Sequence, residues 1–93
     1  ADALADRGQK LAQEGRAAEA IASFDRAIRE APDNLSYRLN LAILYDREGH
    51  YPEALALYRE VLTAWESTDD LSAMPPSLPA ILRRAEYLAQ IAE

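Results

Sequence analysis

Apolar residues recur at helical spacing along most of the chain. Leu4, Gly8 and Leu11 form one stripe, with Ala12 beside it. Ala17, Ala20, Ile21, Phe24, Ala27 and Ile28 form a second at i, i+3, i+4 and i+7 spacing, which predicts a second helix. Gly15 lies between the two, where a glycine can end one helix and turn the chain back. Pro32 and Asp33-Asn34 stop the second helix and open a turn. A third helix is predicted from about Leu35 to Glu48, closed by Gly49. A fourth starts near Tyr51, with Pro52 tolerated in its first turn, and carries Ala54, Leu55, Tyr58, Val61, Leu62 and Trp65. It lacks a proline stop, so its end is expected at Glu66 or Ser67. Ser77 or Leu78 starts a fifth helix with a stripe of Leu78, Ile81, Leu82, Ala85, Leu88, Ala89 and Ala92. Short turns between consecutive helices imply antiparallel neighbours.

The pattern also repeats. Gly15-Arg-Ala-Ala-Glu-Ala-Ile-Ala-Ser-Phe24 returns as Gly49-His-Tyr-Pro-Glu-Ala-Leu-Ala-Leu-Tyr58, a period of 34 residues. Glu14/Glu48, Gly15/Gly49, Glu19/Glu53, Ala20/Ala54 and Ala22/Ala56 are identical at that offset. A fixed period of this length marks a solenoid, in which each unit buries its apolar face against its neighbours.

With Leu4, Gly8, Leu11, Ala20, Phe24, Ala27 and Pro32 in one unit and Leu41, Ala42, Tyr45, Ala54 and Tyr58 in the next, the chain resembles the tetratricopeptide repeat (TPR) family. The resemblance implies an all-α solenoid, a right-handed superhelix of five antiparallel helices in one domain spanning 1–93. Residues 1–34 and 35–68 would be two repeats, 69–77 a loop, and 78–93 a fifth helix acting as a partial third repeat or a cap. Small residues, Gly8 with Ala20 and Ala42 with Ala54, are expected where paired helices cross closely. Arg7, Arg38, Val61 and Glu66 depart from the family pattern. The fifth helix resembles the first helix of a further repeat at a spacing of 43, Ala85 matching Ala42 and Leu88 matching Tyr45. The nine extra residues fall in the Asp69–Ser77 loop, so a displacement of this helix is expected.

The resemblance further implies a concave groove lined by the first helix of each repeat. Carried onto this chain, it is lined by Asp2, Ala5, Gln9, Ala12 and Gln13, then by Ser36, Leu39, Asn40, Ile43, Asp46 and Arg47. If the fifth helix keeps the usual position, it adds Leu82, Arg83, Glu86 and Gln90. Leu39 and Ile43 lie off the core stripe of the third helix. They are either a greasy site for a peptide or helix, or are covered by the fifth helix or the proline loop. One TPR branch grips a peptide's terminal carboxylate with a lysine-asparagine-asparagine-lysine-arginine set. Asn40 and Arg83 fit two of these places, but Ala5, Gln9 and Pro79 replace the others, so that clamp is incomplete. On the fifth helix Ala80, Tyr87 and Ile91 form a second apolar stripe, interrupted by Arg84. Tyr87 and Ile91 are therefore candidates for packing on a missing helix or on a second copy in a homodimer.

Composition narrows the functional classes. The 93 residues carry a net charge of −6 and no basic cluster, which argues against nucleic acid or an anionic membrane surface as partner. There is no cysteine, so disulfides and thiolate metal sites are excluded. No apolar run approaches the roughly 20 residues of a membrane helix. The chain opens at Ala1, which leaves a removed signal peptide, a longer parent or a trimmed chain open. The compartment is not fixed, with the cytoplasm favoured over periplasm or secretion. His50, the lone histidine, falls in a turn and reads as solvated; Asp69-Asp70 reads as a cap rather than a cation site. Met74–Pro79 reads as a connector rather than a polyproline ligand. No Ser/His/Asp order, metal-ligand cluster or phosphate loop is present, so no enzyme and no cofactor is expected. The expected function is a scaffold or adaptor that binds a protein or peptide in its groove, the alternative being a structural oligomerisation unit or a fragment of a larger assembly protein.

Overall fold

The computed structural model describes residues 2–66 and 78–92. They form five helices: α1 (Asp2–Gln13), α2 (Ala17–Glu30), α3 (Leu35–Arg47), α4 (Tyr51–Glu66) and α5 (Leu78–Ala92). The fold is all-α, as the spacing predicts, with no strand among the described residues. α3 ends one residue before the expected Glu48, which serves as its C-cap. The Asp69-Asp70 expectation, the Met74–Ser77 part of the connector and the Trp65 side chain lie outside what is described, while Leu78 and Pro79 fall in α5.

Identical local chemistry closes both α1 and α3. The Arg16 N–H donates to the Leu11 carbonyl at 2.9 Å and the Gly15 N–H to Ala12 at 3.1 Å. Thirty-four residues on, His50 donates to Tyr45 at 2.9 Å and Gly49 to Asp46 at 3.2 Å. This pair of hydrogen bonds satisfies carbonyls left open at a helix end and needs a left-handed residue. Gly15 at φ +80° and Gly49 at φ +81° supply it without the penalty a Cβ would bring. The turn before α3 is different. There the Asn34 side chain accepts from the Ser36 N–H at 3.0 Å and caps the helix.

Two core clusters alternate with the helices. In the first, Ala20, Phe24 and Ala27 of α2 pack with Ala5 and Leu11 of α1 and with Tyr37, Leu41 and Leu44 of α3. In the second, Ala54, Leu55, Tyr58, Val61 and Leu62 of α4 pack with Ala42 of α3 and with Ile81, Ala85 and Leu88 of α5. Each even-numbered helix is thus sandwiched between two odd-numbered ones. Phe24, Val61 and Leu88 are the largest fully buried side chains, each contributing about 1.5–3 kcal/mol by leaving water. The small residues Ala20, Ala42 and Ala54 have no exposed surface. A Cβ on Gly8 would lie 3.0 Å from the Phe24 ring, tighter than ordinary van der Waals contact. The Ser23 hydroxyl adds a bond to the Leu4 carbonyl at 2.9 Å.

The burial pattern corrects the expected register of α5. Ile81, Ala85 and Leu88 fill, against α4, the roles that Tyr37, Leu41 and Leu44 fill against α2. That correspondence (37 to 81, 41 to 85, 44 to 88) is 44 residues, not 43. One extra residue turns a helix by about 100°. Ala85 therefore takes the place of Leu41 rather than of Ala42. On α1 the equivalent places, 34 residues earlier, hold Ala3, Arg7 and Lys10, all exposed.

Candidate peptide groove

The odd-numbered helices present one face away from the two clusters. Between α1 and α3 a cavity of about 300 Å³ opens, walled by Gln9, Gln13, Asn40, Ile43 and Arg47. Its apolar floor is Ala12, Phe24 and Leu44. Six of the sequence-derived groove residues, Ala12 included, are therefore brought together. Ala5 is not among them. It is buried in the first core cluster at 7% exposure, because its small side chain faces α2. Ser36 is exposed and lines neither this cavity nor the next, its N–H being used in the Asn34 cap.

A second cavity, about 240 Å³, lies between α3 and α5. Leu39, Ile43, Tyr58, Ala80, Ile81 and Arg84 line it. Leu82, Arg83 and Glu86 are exposed and do not line it, a consequence of the α5 rotation. In the corrected register Arg84, Tyr87 and Ile91 stand where Asn40, Ile43 and Arg47 stand on α3. Of the stripe read from sequence as a self-association surface, Ala80 lines the second cavity, while Tyr87 and Ile91 line neither. Tyr87 and Ile91 remain about half exposed. Leu39 and Ile43 divide between the two readings left open above. Leu39 is half-buried against the second cluster, whereas Ile43 is 42% exposed and belongs to both cavities.

Sequence reasoning missed the polar tie that holds this site in shape. The Arg84 guanidinium donates to both Asp46 carboxylate oxygens, at 2.5 and 2.6 Å. The Tyr58 hydroxyl donates to the same carboxylate at 3.3 Å. One acid on α3 thereby joins α4 and α5. Burial, then the Asp46 charge, pushes the Tyr58 hydroxyl up to about 12. The hydrogen bonds to Asp46 raise the Arg84 pKa further. The guanidinium also lies 5.1 Å from the centre of the Tyr87 ring, a cation–π distance. The available signal was an acid already placed on the groove stripe and an arginine interrupting an apolar one.

His50 is exposed in its turn, edge-on to Tyr45 at 5.9 Å and 3.9 Å from Glu53. Among the described residues no group of three His, Cys, Asp or Glu is placed to hold a metal ion, and no helix is long and apolar enough to cross a membrane.

The tetratricopeptide repeat profile matches residues 11–64, more than half of the chain. The protein is a member of the tetratricopeptide repeat family. Comparison with curated protein sequences gives no significant match. TPR membership makes this a helical-repeat module of the protein–protein interaction type, in a family that is generally non-enzymatic.

Proposed function

We propose that the TPR module binds an extended peptide segment or a helix of a protein partner along the face shared by α1, α3 and α5. The observation that carries this reading is Ile43. It is a large aliphatic side chain, 42% exposed, at the ridge between two adjoining cavities, one walled by amides and Arg47 and the other mostly apolar with Arg84. An exposed apolar residue amid hydrogen-bonding groups suits a peptide, which offers side chains to the cavities and backbone groups to the amides. Titration of isotope-labelled protein with peptide pools tests it. Shifts should concentrate at Gln9, Asn40, Ile43 and Arg47; shifts confined to the outer faces of α2 and α4 would defeat it.

Exposed Tyr87 and Ile91 support a second reading, homodimerisation through α5. Mass measurement across concentration separates the two. A dimer broken by Tyr87→Lys with Ile91→Lys would favour self-association, and a concentration-independent monomer would favour the adaptor.

A further inference from the structure

We propose that the occupant of this groove is an extended peptide carrying an acidic side chain and, about three residues away, a large apolar one. The inference rests on the groove reading and names the partner's chemistry. The two cavities differ in character. The one beside α1 is amide-lined and contains one charged wall residue, Arg47. Arg47 is exposed and makes no ion pair among the described residues. No acidic side chain lines either cavity. Of the two carboxylates that flank it in sequence, Asp46 is only 12% exposed and already neutralised by Arg84, and Glu48 is exposed but lines neither cavity. The protein as a whole carries −6, yet this face offers an uncompensated cation. A carboxylate is the group that completes it, because an ionised donor–acceptor pair is about twice as strong as a neutral one.

The cavity beside α5 takes the apolar residue. Leu39, Ile43 and Ile81 form its walls, and the charge of its Arg84 is already paired with Asp46 through Nε and Nη2. The cavities lie on opposite flanks of α3, so their centres are separated by about one helix spacing, roughly 8–10 Å. An extended chain covers that in about three residues. Arg47 lies one turn beyond Ile43 and two beyond Asn40, toward the end of α3.

The test is selection of random nine-residue displayed peptides on the full chain, followed by affinity measurement on the enriched sequences. The expected consensus has Asp or Glu two to four residues from Leu, Ile, Met, Phe or Trp. Replacing that acid by its amide should weaken binding about tenfold, and Arg47→Gln should abolish the difference between acid and amide. Arg47→Glu should switch the preference to a basic residue, with the circular dichroism unchanged; a purely structural role would not produce that switch. Enriched peptides with no acidic preference, or a preference unmoved by Arg47→Glu, overturn the inference while leaving the groove reading standing. Absence of any enriched peptide defeats both. Self-association that is removed by Ile43→Asp would assign the groove to a second copy and overturn the inference.

Discussion

Asp46 and Arg84, 38 residues apart, meet in a two-pronged ion pair that spans α3 and α5. The two partners are not equally buried: the Asp46 side chain is 12% exposed and that of Arg84 42%. Loss of Asp46 also strips the buried Tyr58 hydroxyl of its acceptor. Asp46→Ala should therefore cost about 1–3 kcal/mol. Arg84→Ala should cost less, about 0.5–1 kcal/mol, because solvent screens the exposed side of the pair. Urea unfolding of both variants measures the order; equal losses would contradict it.

Alkali should destabilise the fold through Tyr58. Its hydroxyl titrates near 12 when folded, against the ordinary 10. Between those values the unfolded chain has lost a proton that the folded chain keeps, so rising pH favours unfolding. The stabilisation is fully present below about pH 10 and disappears as pH climbs to about 12, a change of roughly 2–3 kcal/mol. Burial, with Asp25 and Glu53, shifts Tyr45 the same way. Unfolding free energies at pH 9.5 and 11.5 should fall less in Tyr58→Phe than in the native chain.

Gly8→Ala sets two effects against each other. Alanine favours a helix by about 1 kcal/mol over glycine. Here its methyl group would press on the Phe24 ring, which is 2% exposed and packed in the first core cluster. Overpacking costs about 1–3 kcal/mol, so the net effect should be a loss. Adding Phe24→Leu should make the second change cheaper than it is alone, a coupling that a double-mutant cycle reads directly. Ala20→Leu and Ala54→Leu, with no free space around either, should each cost about 1–3 kcal/mol.

Leu39 and Ile43 should behave differently although both are aliphatic residues on α3. Ile43→Asp should abolish peptide binding and leave the melting temperature within a few degrees, as the side chain is substantially exposed. Leu39→Asp places a charge against the second cluster and should destabilise the fold by about 2 kcal/mol or more. Thermal melts beside binding isotherms separate the pair.

The helices and the alternating clusters were legible in the sequence because they arise from local rules. Gly15 and Gly49 mark the turns, and the Ala20/Ala54 repeat marks the crossings. Of the residues that the family resemblance placed on α1 and α3, Gln9, Gln13, Asn40, Ile43 and Arg47 wall one cavity. α5 was harder. Its apolar residues fit a spacing of 43 or 44 nearly equally well, since Ala85 and Leu88 are acceptable at either. Packing against α4 decides between them, and spacing along one helix does not contain that information. The same rotation turned Arg84 from an interruption into a partner for Asp46.

The exposed Ala3, Arg7 and Lys10 on α1 have a practical consequence. They occupy the places through which Tyr37, Leu41 and Leu44 dock α3 onto the preceding helix. Grafting a copy of α3 and α4 ahead of α1 would thus meet a wet, cationic joint. Ala3→Tyr, Arg7→Leu and Lys10→Leu would convert that joint into the internal one, and the present unit into an extensible building block for longer engineered arrays.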